Sequence, residues 1–339
     1  MSLSKTSEKV LILGGAGFIG FNLAKYLSEN TNHQITIADN LSRGTHDDDF
    51  SSLINKSGIR FIESDFTLSK SFRVLDDEYD QVYMLASIVG VDNTLSMPHE
   101  VIRVNTQLIL NTLEWIKESN ITKVLFTSTS ENYAGTIDEF GFTIPTPENI
   151  PLSIPDIKHP RYTYAVTKML GESAFLNYSK AFDFKCTIVR YHNVFGPRMG
   201  FSHVIPNLVD RFMHGNEDPF MMQGHDQTRT FCYITDAIEA TILAMESKKT
   251  HGEIYHIGAD KEITIETLIK KCGEFFNYQG TYEPAPTFPG STQRRCPDIS
   301  KAFDHFSYKP KINWKDGLEI TLAWYQDFFM NKGRKYESH

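Results

Sequence analysis

Cysteine is scarce in this chain. Four residues (Cys186, Cys232, Cys272 and Cys296) are spread through 339, and no two form a C-x-x-C pair. That spacing excludes a zinc ribbon and a disulfide framework; it points to reduced thiols in a cytoplasmic protein and to no metal site. Positive charge is short as well: 34 Lys and Arg stand against 42 Asp and Glu, a formal net charge of -8. With no basic stripe to neutralise phosphates, a nucleic-acid partner is not expected. Long apolar runs are missing. Nothing approaches the roughly 20 residues that cross a bilayer. The stretch Met1–Lys9 is polar and lacks the apolar core of a signal peptide. Neither a membrane partner nor a secretory route is expected. There is no internal repeat and no low-complexity segment.

What remains is an ordinary globular composition, 40% hydrophobic and 22% charged, in a chain long enough for one large or two smaller domains. Through the first half, short β-rich runs alternate with longer helical patterns. The runs Lys9–Leu13, Gln34–Ala38, Arg60–Glu63, Gln81–Leu85, Lys123–Thr127 and Lys185–Arg190 are predicted strands. Phe18–Glu29, Glu100–Glu118 and Thr163–Phe182 are predicted helices. Such alternation predicts an α/β fold, a doubly wound parallel sheet of the Rossmann type with a smaller C-terminal lobe. From Asn193 onward, loops rich in Gly and Pro (Phe195-Gly196-Pro197-Arg198, and Pro284 to Gly290) separate shorter elements. A helix near Thr235–Glu246 and a strand near Glu253–Ile257 are able to return to the sheet. The expected division is residues 1–190 with a return segment 231–258, and a ligand-binding lobe from 191–230 and 259–339.

The run Val10-Leu11-Ile12-Leu13 ends in Gly14-Gly15-Ala16-Gly17-Phe18-Ile19-Gly20, which opens a helix. In a G-x-G-x-x-G turn the first glycine permits a tight turn, the second lets backbone approach a pyrophosphate, and the third lets helix pack on strand. The helix N-terminus offers free N–H groups to the phosphates. Asp39 lies at the end of the second strand, 19 residues beyond Gly20. It can accept from a ribose 2′-hydroxyl and would repel a 2′-phosphate, which favours NAD; Arg43 nearby keeps NADP open. Residues 1–190 are therefore read as an NAD-binding domain. The candidate cofactor contacts are Gly14, Gly17, Phe18, Ile19, Gly20, Asp39, Asn40, Leu85, Ala86, Asp65 and Phe66. The last two follow the third strand and would flank an adenine, or else are a polar strand end beside a core aromatic.

Tyr164 and Lys168 are four residues apart on a predicted helix, so both face one side. A lysine cation near a phenol lowers the phenol's pKa towards neutrality, which lets the tyrosine take a proton from a sugar hydroxyl while the carbon loses a hydride. Thr129, at the carboxyl edge of its strand, can hydrogen-bond the same oxygen. The alternative is an amphipathic helix carrying a solvated lysine. The dinucleotide turn upstream argues for the chemical reading, in which Tyr164 and Lys168 also meet the cofactor.

In these motifs the chain resembles the extended short-chain dehydrogenase/reductases of the nucleotide-sugar epimerase/dehydratase family. The resemblance rests on Gly14–Gly20, Asp39, Ser128-Thr129-Ser130-Glu131, Tyr164-Ala165-Val166-Thr167-Lys168, Arg190 to Arg198, Gln227-Thr228-Arg229-Thr230-Phe231 and Arg294-Arg295-Cys296-Pro297-Asp298-Ile299. It implies a tightly held NAD, oxidation of a sugar at C4 to a 4-keto species, a nucleoside diphosphate sugar gripped by the C-terminal lobe, and a homodimer formed through two helices per subunit. It assigns Thr129, Tyr164 and Lys168 to hydride and proton transfer, and Arg229 and Asn193 to substrate contacts. For Arg229 the alternative is a surface ion pair, and for Asn193 a loop cap. The setting implied is polysaccharide biosynthesis.

Ser130 and Glu131 after the threonine resemble 4,6-dehydratases and nucleotide-sugar uronic acid decarboxylases, as do Arg161-Tyr162-Thr163-Tyr164 and Arg295-Cys296-Pro297. In the decarboxylases an arginine at the position of Arg295 assists the acid chemistry. Glu131 is read either as a group in that chemistry or as an anchor for its loop. Asn132 stands where the resemblance expects valine, and Ala134 where it expects glycine, which predicts a reshaped loop. His192 is read as a packed structural histidine, with substrate contact as the alternative. Epimerisation, dehydration, decarboxylation and release of the ketone as a net 4-dehydrogenase all share the 4-ketone and stay open. A non-catalytic dinucleotide sensor is a remote further alternative, since Thr129, Tyr164 and Lys168 are all present.

Overall fold

In the computed structural model, which describes residues 6–44, 46–287 and 290–332, the first six long strands are β1 (Lys9–Leu13), β2 (Gln34–Asp39), β3 (Ile59–Glu63), β4 (Glu78–Met84), β5 (Asn120–Thr129) and β6 (Lys185–Tyr191). With the later strand Glu253–Ile257 they form one seven-stranded sheet, in the order Glu253–Ile257, β6, β5, β4, β1, β2, β3. Every pairing in it is parallel. Side chains alternate between its two faces, and the burial follows. Val10 and Ile12 pack on one face with Ile35, Ile37, Tyr83 and Val189; Leu11 and Leu13 pack on the other with Val82, Met84, Val124 and Ile188. The helix Phe18–Asn30 covers the first face through Phe21, Leu23, Ala24 and Leu27. The helix Pro98–Lys117 covers the second through Leu108, Ile109, Leu113 and Ile116.

Strand order reverses between β1 and β4, the switch point at which sheets of this kind open a crevice beyond the carboxyl ends of the strands. The pairing lengthens strands beyond their sequence signal: β5 runs from Asn120 to Thr129 because neighbours on both sides match it, Glu78 opposite Asn120 and Tyr191 opposite Thr129. Thr129 is thus the last residue of β5.

After β6 the chain builds three small sheets beside the crevice. One contains Thr228–Thr230 between Glu262–Thr264 and Arg294–Arg295; the others pair Phe220–Gln223 with Tyr282–Ala285, and Val194–Phe195 with Cys232–Tyr233. In the first, Arg295 lies directly opposite Arg229 in a parallel pair, so both side chains leave the same face. Among the described residues no helix is long and apolar enough to cross a membrane, and no cluster of His, Cys, Asp and Glu could hold a metal. All four cysteines are free and buried.

Candidate functional site

The turn after β1 is pressed into the sheet. Gly14 has φ +83°, its N–H donates to the Ala38 carbonyl at 2.8 Å, and a Cβ there would lie 2.6 Å from the Ala86 nitrogen. Leu85 in turn donates to the Leu13 carbonyl at 2.9 Å, so Leu85 and Ala86 form the opposite lip. Gly17 caps the helix Phe18–Asn30 with no side chain, and the first turn carries no acidic residue. The N–H groups of Phe18, Ile19 and Gly20 therefore face the crevice without a competing carboxylate, as an anion requires. Asp39 ends β2 and accepts from Ala16 N at 3.0 Å and Leu41 N at 2.8 Å; burial raises its pKa against those hydrogen bonds. This cradle fits a dinucleotide: a side chain on Gly14 would collide with the Ala86 backbone, so the turn stays tight and bare, and the carboxylate sits beside it.

The remaining cofactor candidates are placed differently. Asn40 is exposed and accepts from Ser42 N at 3.1 Å. Asp65 accepts from Thr67 N at 2.9 Å and Thr67 Oγ1 at 2.8 Å, closing a turn. The ring of Phe66 is buried edge-on to Phe72, 5.0 Å between centroids, as a core aromatic.

Across the crevice, Lys168 is buried and donates from Nζ to the Thr127 carbonyl at 2.7 Å, with Nζ 5.7 Å from the centre of the Tyr164 ring. Burial lowers its pKa to about 7, the charge of Glu172 opposing. Tyr164 is hydrogen-bonded to Thr129, whose Oγ1 also accepts from Glu131 N at 3.2 Å. Helix spacing thus does bring Tyr164, Lys168 and Thr129 together. The electrostatics differ from the sequence expectation. The phenol's pKa is raised, first by burial and then by the charge of Glu131, while Arg43 and the Thr129 hydrogen bond act the other way. The reason is physical: burial has weakened the lysine's own hold on its proton, and its ammonium is committed to a carbonyl.

Beyond β5, Arg295 donates from Nη1 to Glu131 Oε1 at 2.6 Å and to Ser130 Oγ at 3.5 Å, and from Nη2 to Thr292 Oγ1 at 3.2 Å. For Glu131, burial raises the pKa, but the charges of Arg295, Arg161 and Arg229 and the Arg295 hydrogen bond outweigh it and bring it down to about 2. Three guanidinium groups thus act on one carboxylate. The Arg229 guanidinium donates to the carbonyls of Thr228 at 2.7 Å and Thr292 at 2.6 Å, which hold it against the segment before Arg295. The Nε atoms of Arg161 and Arg295 are buried with no hydrogen-bond partner, two donors that an acceptor on a ligand would satisfy. Asn193, at φ +41°, donates from Nδ2 to the Thr230 carbonyl at 3.0 Å and fixes its loop against the strand of Arg229.

Glu131 sets a pH dependence. Its pKa of about 2 lies below the ordinary carboxyl value of 4.5, so the stability this shift contributes is present above pH 4.5 and lost as pH falls towards 2. The stability difference between wild type and Glu131→Gln is expected to be flat above about pH 5.5 and to change steadily below 4.5. Urea titrations at a series of pH values measure it, and a constant difference down to about pH 3 would contradict the depressed pKa.

Two residues flagged by the sequence resolve into packing. Asn132 is fully buried and donates from Nδ2 to Glu172 Oε1 at 2.9 Å and Ser128 Oγ at 3.1 Å. The loop around it is a single 3₁₀ turn, Ser130–Tyr133, running into the helix Ala134–Phe140. His192 is buried edge-on to His256, ring centroids 4.6 Å apart, and burial holds its pKa well below the usual imidazole value. Sequence reasoning passed over Glu172 and gave the buried Arg190 that pairs with it no role of its own. Glu172 lies one helical turn beyond Lys168, a spacing that was there to be read.

The family model described as the NAD dependent epimerase/dehydratase family matches residues 10–258. A UDP-N-acetyl-alpha-D-glucosaminuronate decarboxylase of Bacillus cytotoxicus is 31% identical over 332 residues, covering 94% of this chain and 98% of that protein. The human dTDP-D-glucose 4,6-dehydratase is 28% identical, with 96% and 92% covered. Among solved structures, the UDP-glucuronic acid 4-epimerase of Bacillus cereus, in complex with UDP-glucuronic acid and NAD, superposes with a TM-score of 0.78. It is 28% identical, with 94% of this chain and 99% of that one covered.

Proposed function

Because this chain belongs to the NAD-dependent epimerase/dehydratase family, we propose that it oxidises C4 of a nucleoside diphosphate uronic acid and then removes the C5 carboxylate as CO2. NAD, held by the Gly14–Gly20 turn and Asp39, supplies when bound a hydride acceptor at C4 and a positive charge beside Tyr164. Tyr164 takes the C4 hydroxyl proton, with Thr129 holding the same oxygen and Lys168 placed one helical turn behind. The C5–CO2 bond then breaks, its electron pair passes into the C4 ketone, and C5 takes a proton from solvent as the ketone re-forms. Tyr164 then gives its proton back to the C4 oxygen, and with the hydride that bound NAD would return the cycle would close without net oxidation.

The observation that carries the second step is the Glu131–Arg295 contact at 2.6 Å among three arginines. A carboxylate with a pKa of about 2 is a weak base for the C5 proton that dehydration must remove. Decarboxylation asks for no such base. The surplus positive charge, with unpaired donors on Arg161 and Arg295, suits a substrate that brings a carboxylate in addition to its diphosphate.

The helices Pro98–Lys117 and Thr163–Phe182 leave Ile102, Leu110, Val166 and Leu170 exposed, and a homodimer through this pair is part of the proposal. So is a reducing, cytoplasmic setting, supported by the four buried free thiols.

The test is mass spectrometry of products after incubation with NAD and UDP-, GDP-, CDP- and dTDP-sugars, uronic acids included, with light scattering of the same sample for the dimer mass. Loss of CO2 is the expected result. Loss of water would assign a dehydratase and make Glu131 the base after all. An unchanged mass would mean an epimerase, and loss of two hydrogens a net 4-dehydrogenase.

A further inference from the structure

Three stretches far apart in the chain deliver the groups of the site: the helix Thr163–Phe182 with Tyr164 and Lys168, the turn Ser130–Tyr133 with Ser130 and Glu131, and the strand Arg294–Arg295. Behind them runs a buried chain of hydrogen bonds that starts on the helix, passes through the turn and ends three residues beyond the strand. Glu172, one turn beyond Lys168, takes both sides of the Arg190 guanidinium, Nε to Oε1 at 2.8 Å and Nη2 to Oε2 at 2.6 Å. Arg190 Nη1 donates to the Tyr133 hydroxyl and, at 3.2 Å, to the Glu148 carbonyl. The Tyr133 hydroxyl meets His256 Nε2 at 2.8 Å, and His256 Nδ1 meets the Asp298 carbonyl at 3.1 Å.

The direction follows from the acceptors. A carbonyl only accepts, so Nδ1 carries the hydrogen, Nε2 is the acceptor, and the Tyr133 hydroxyl donates to it while accepting from Arg190. Asp298 lies three residues beyond Arg295, in a segment pinned on its other side by Thr146. Thr146 N donates to the Cys296 carbonyl and Asp298 N to the Thr146 carbonyl, each at 2.8 Å. Glu148 adds a bond from the His256 backbone N–H to its Oε1 at 2.9 Å. Arg190, Tyr133 and His256 are each 2% exposed or less.

We propose that Tyr133 and His256 are positioning residues for the second chemical step, holding the segment that carries Arg295 in register with the turn that carries Ser130 and Glu131. Neither reaches the reacting atoms; they act through the Arg295–Glu131 contact. Glu131 and Arg295 are 164 residues apart and sit on a short turn and a two-residue strand, so their 2.6 Å contact needs a rigid link behind it. His256 stays neutral as it performs this role, burial and Arg190 bringing its pKa down to about 3. The proposal rests on the decarboxylation reading only for the identity of the second step.

Tyr133→Phe removes one oxygen and keeps the ring. In a single turnover with bound NAD, C4 oxidation, followed by nicotinamide absorbance, is expected to keep its wild-type rate within about twofold. Final product should form roughly 10- to 100-fold more slowly, the loss typical of a misplaced group, with the 4-keto species accumulating. His256→Ala should show the same split. In an Arg295→Lys background, Tyr133→Phe should add little further loss, because both changes break one contact. Equal slowing of both steps, no slowing of either, or full additivity with Arg295→Lys would each overturn the proposal. The mass of the wild-type product judges the decarboxylation reading separately, since the ratio between the two steps can be read for any product formed after the 4-ketone.

Discussion

Tyr164→Phe is expected to slow C4 oxidation by about 10²- to 10⁴-fold, the range that a positioned acid–base group contributes, while NAD remains bound. The variant keeps the ring near Lys168 and loses only the hydroxyl hydrogen-bonded to Thr129. Without it nothing on this wall of the crevice can take the C4 proton: Lys168 is committed to the Thr127 carbonyl, and Glu131 to Arg295. Single-turnover absorbance of the nicotinamide measures the step, and retained cofactor in the purified variant shows that the cradle is intact. Wild-type rates in this variant would remove Tyr164 from the chemistry. The raised phenol pKa adds a second reading: the tyrosine of the free protein is protonated throughout the neutral range. A phenolate competent for catalysis therefore requires the positive charge that arrives with NAD, and tyrosinate absorbance should appear at lower pH in the holo protein than in the apo protein.

Arg190→Met is expected to destabilise the protein by about 3–5 kcal/mol, the loss typical when one member of a buried ion pair is removed. Glu172 would keep Ser128 Oγ at 2.5 Å and Asn132 Nδ2 at 2.9 Å as hydrogen-bond partners, at a side-chain exposure of 5%, and would lose the guanidinium paired with it. Replacing both members, Arg190→Met with Glu172→Leu, should recover much of that loss, because the stranded charge is gone as well. Urea midpoints at neutral pH measure both. If the double variant is as unstable as the sum of the two single ones, the pair is not coupled and this account fails. The buried Asn132 belongs to the same argument. The residue that marks this chain as a departure from its resemblance supplies Glu172 with a neutral donor from within the turn Ser130–Tyr133.

The elements legible in the sequence were those with a local cause. The strand Lys9–Leu13 and the helix Thr163–Phe182 were read with the limits the structure has, since hydrophobic periodicity and turn chemistry act within a few residues. The strand read as Lys123–Thr127 came out short at both ends, because its last pairs form with Glu78 and Tyr191, which lie far off in sequence. The small sheets after β6 were not legible at all. Strands of two to four residues carry too little pattern, and they exist because their partners are brought alongside.

The site divides along the same line. The Gly14–Gly20 turn, the aspartate at the end of β2 and the tyrosine and lysine four residues apart were determined by the sequence alone, because each depends on spacing within one or two adjoining elements. The Glu131–Arg295 contact, across 164 residues, and the Tyr133–His256 bond, across 123, were decided only by the tertiary structure. So were the charges. A lysine near pKa 7, a tyrosine held protonated and a glutamate near 2 depend on how much water the fold excludes and which distant arginines it gathers, and no local pattern in a chain records either.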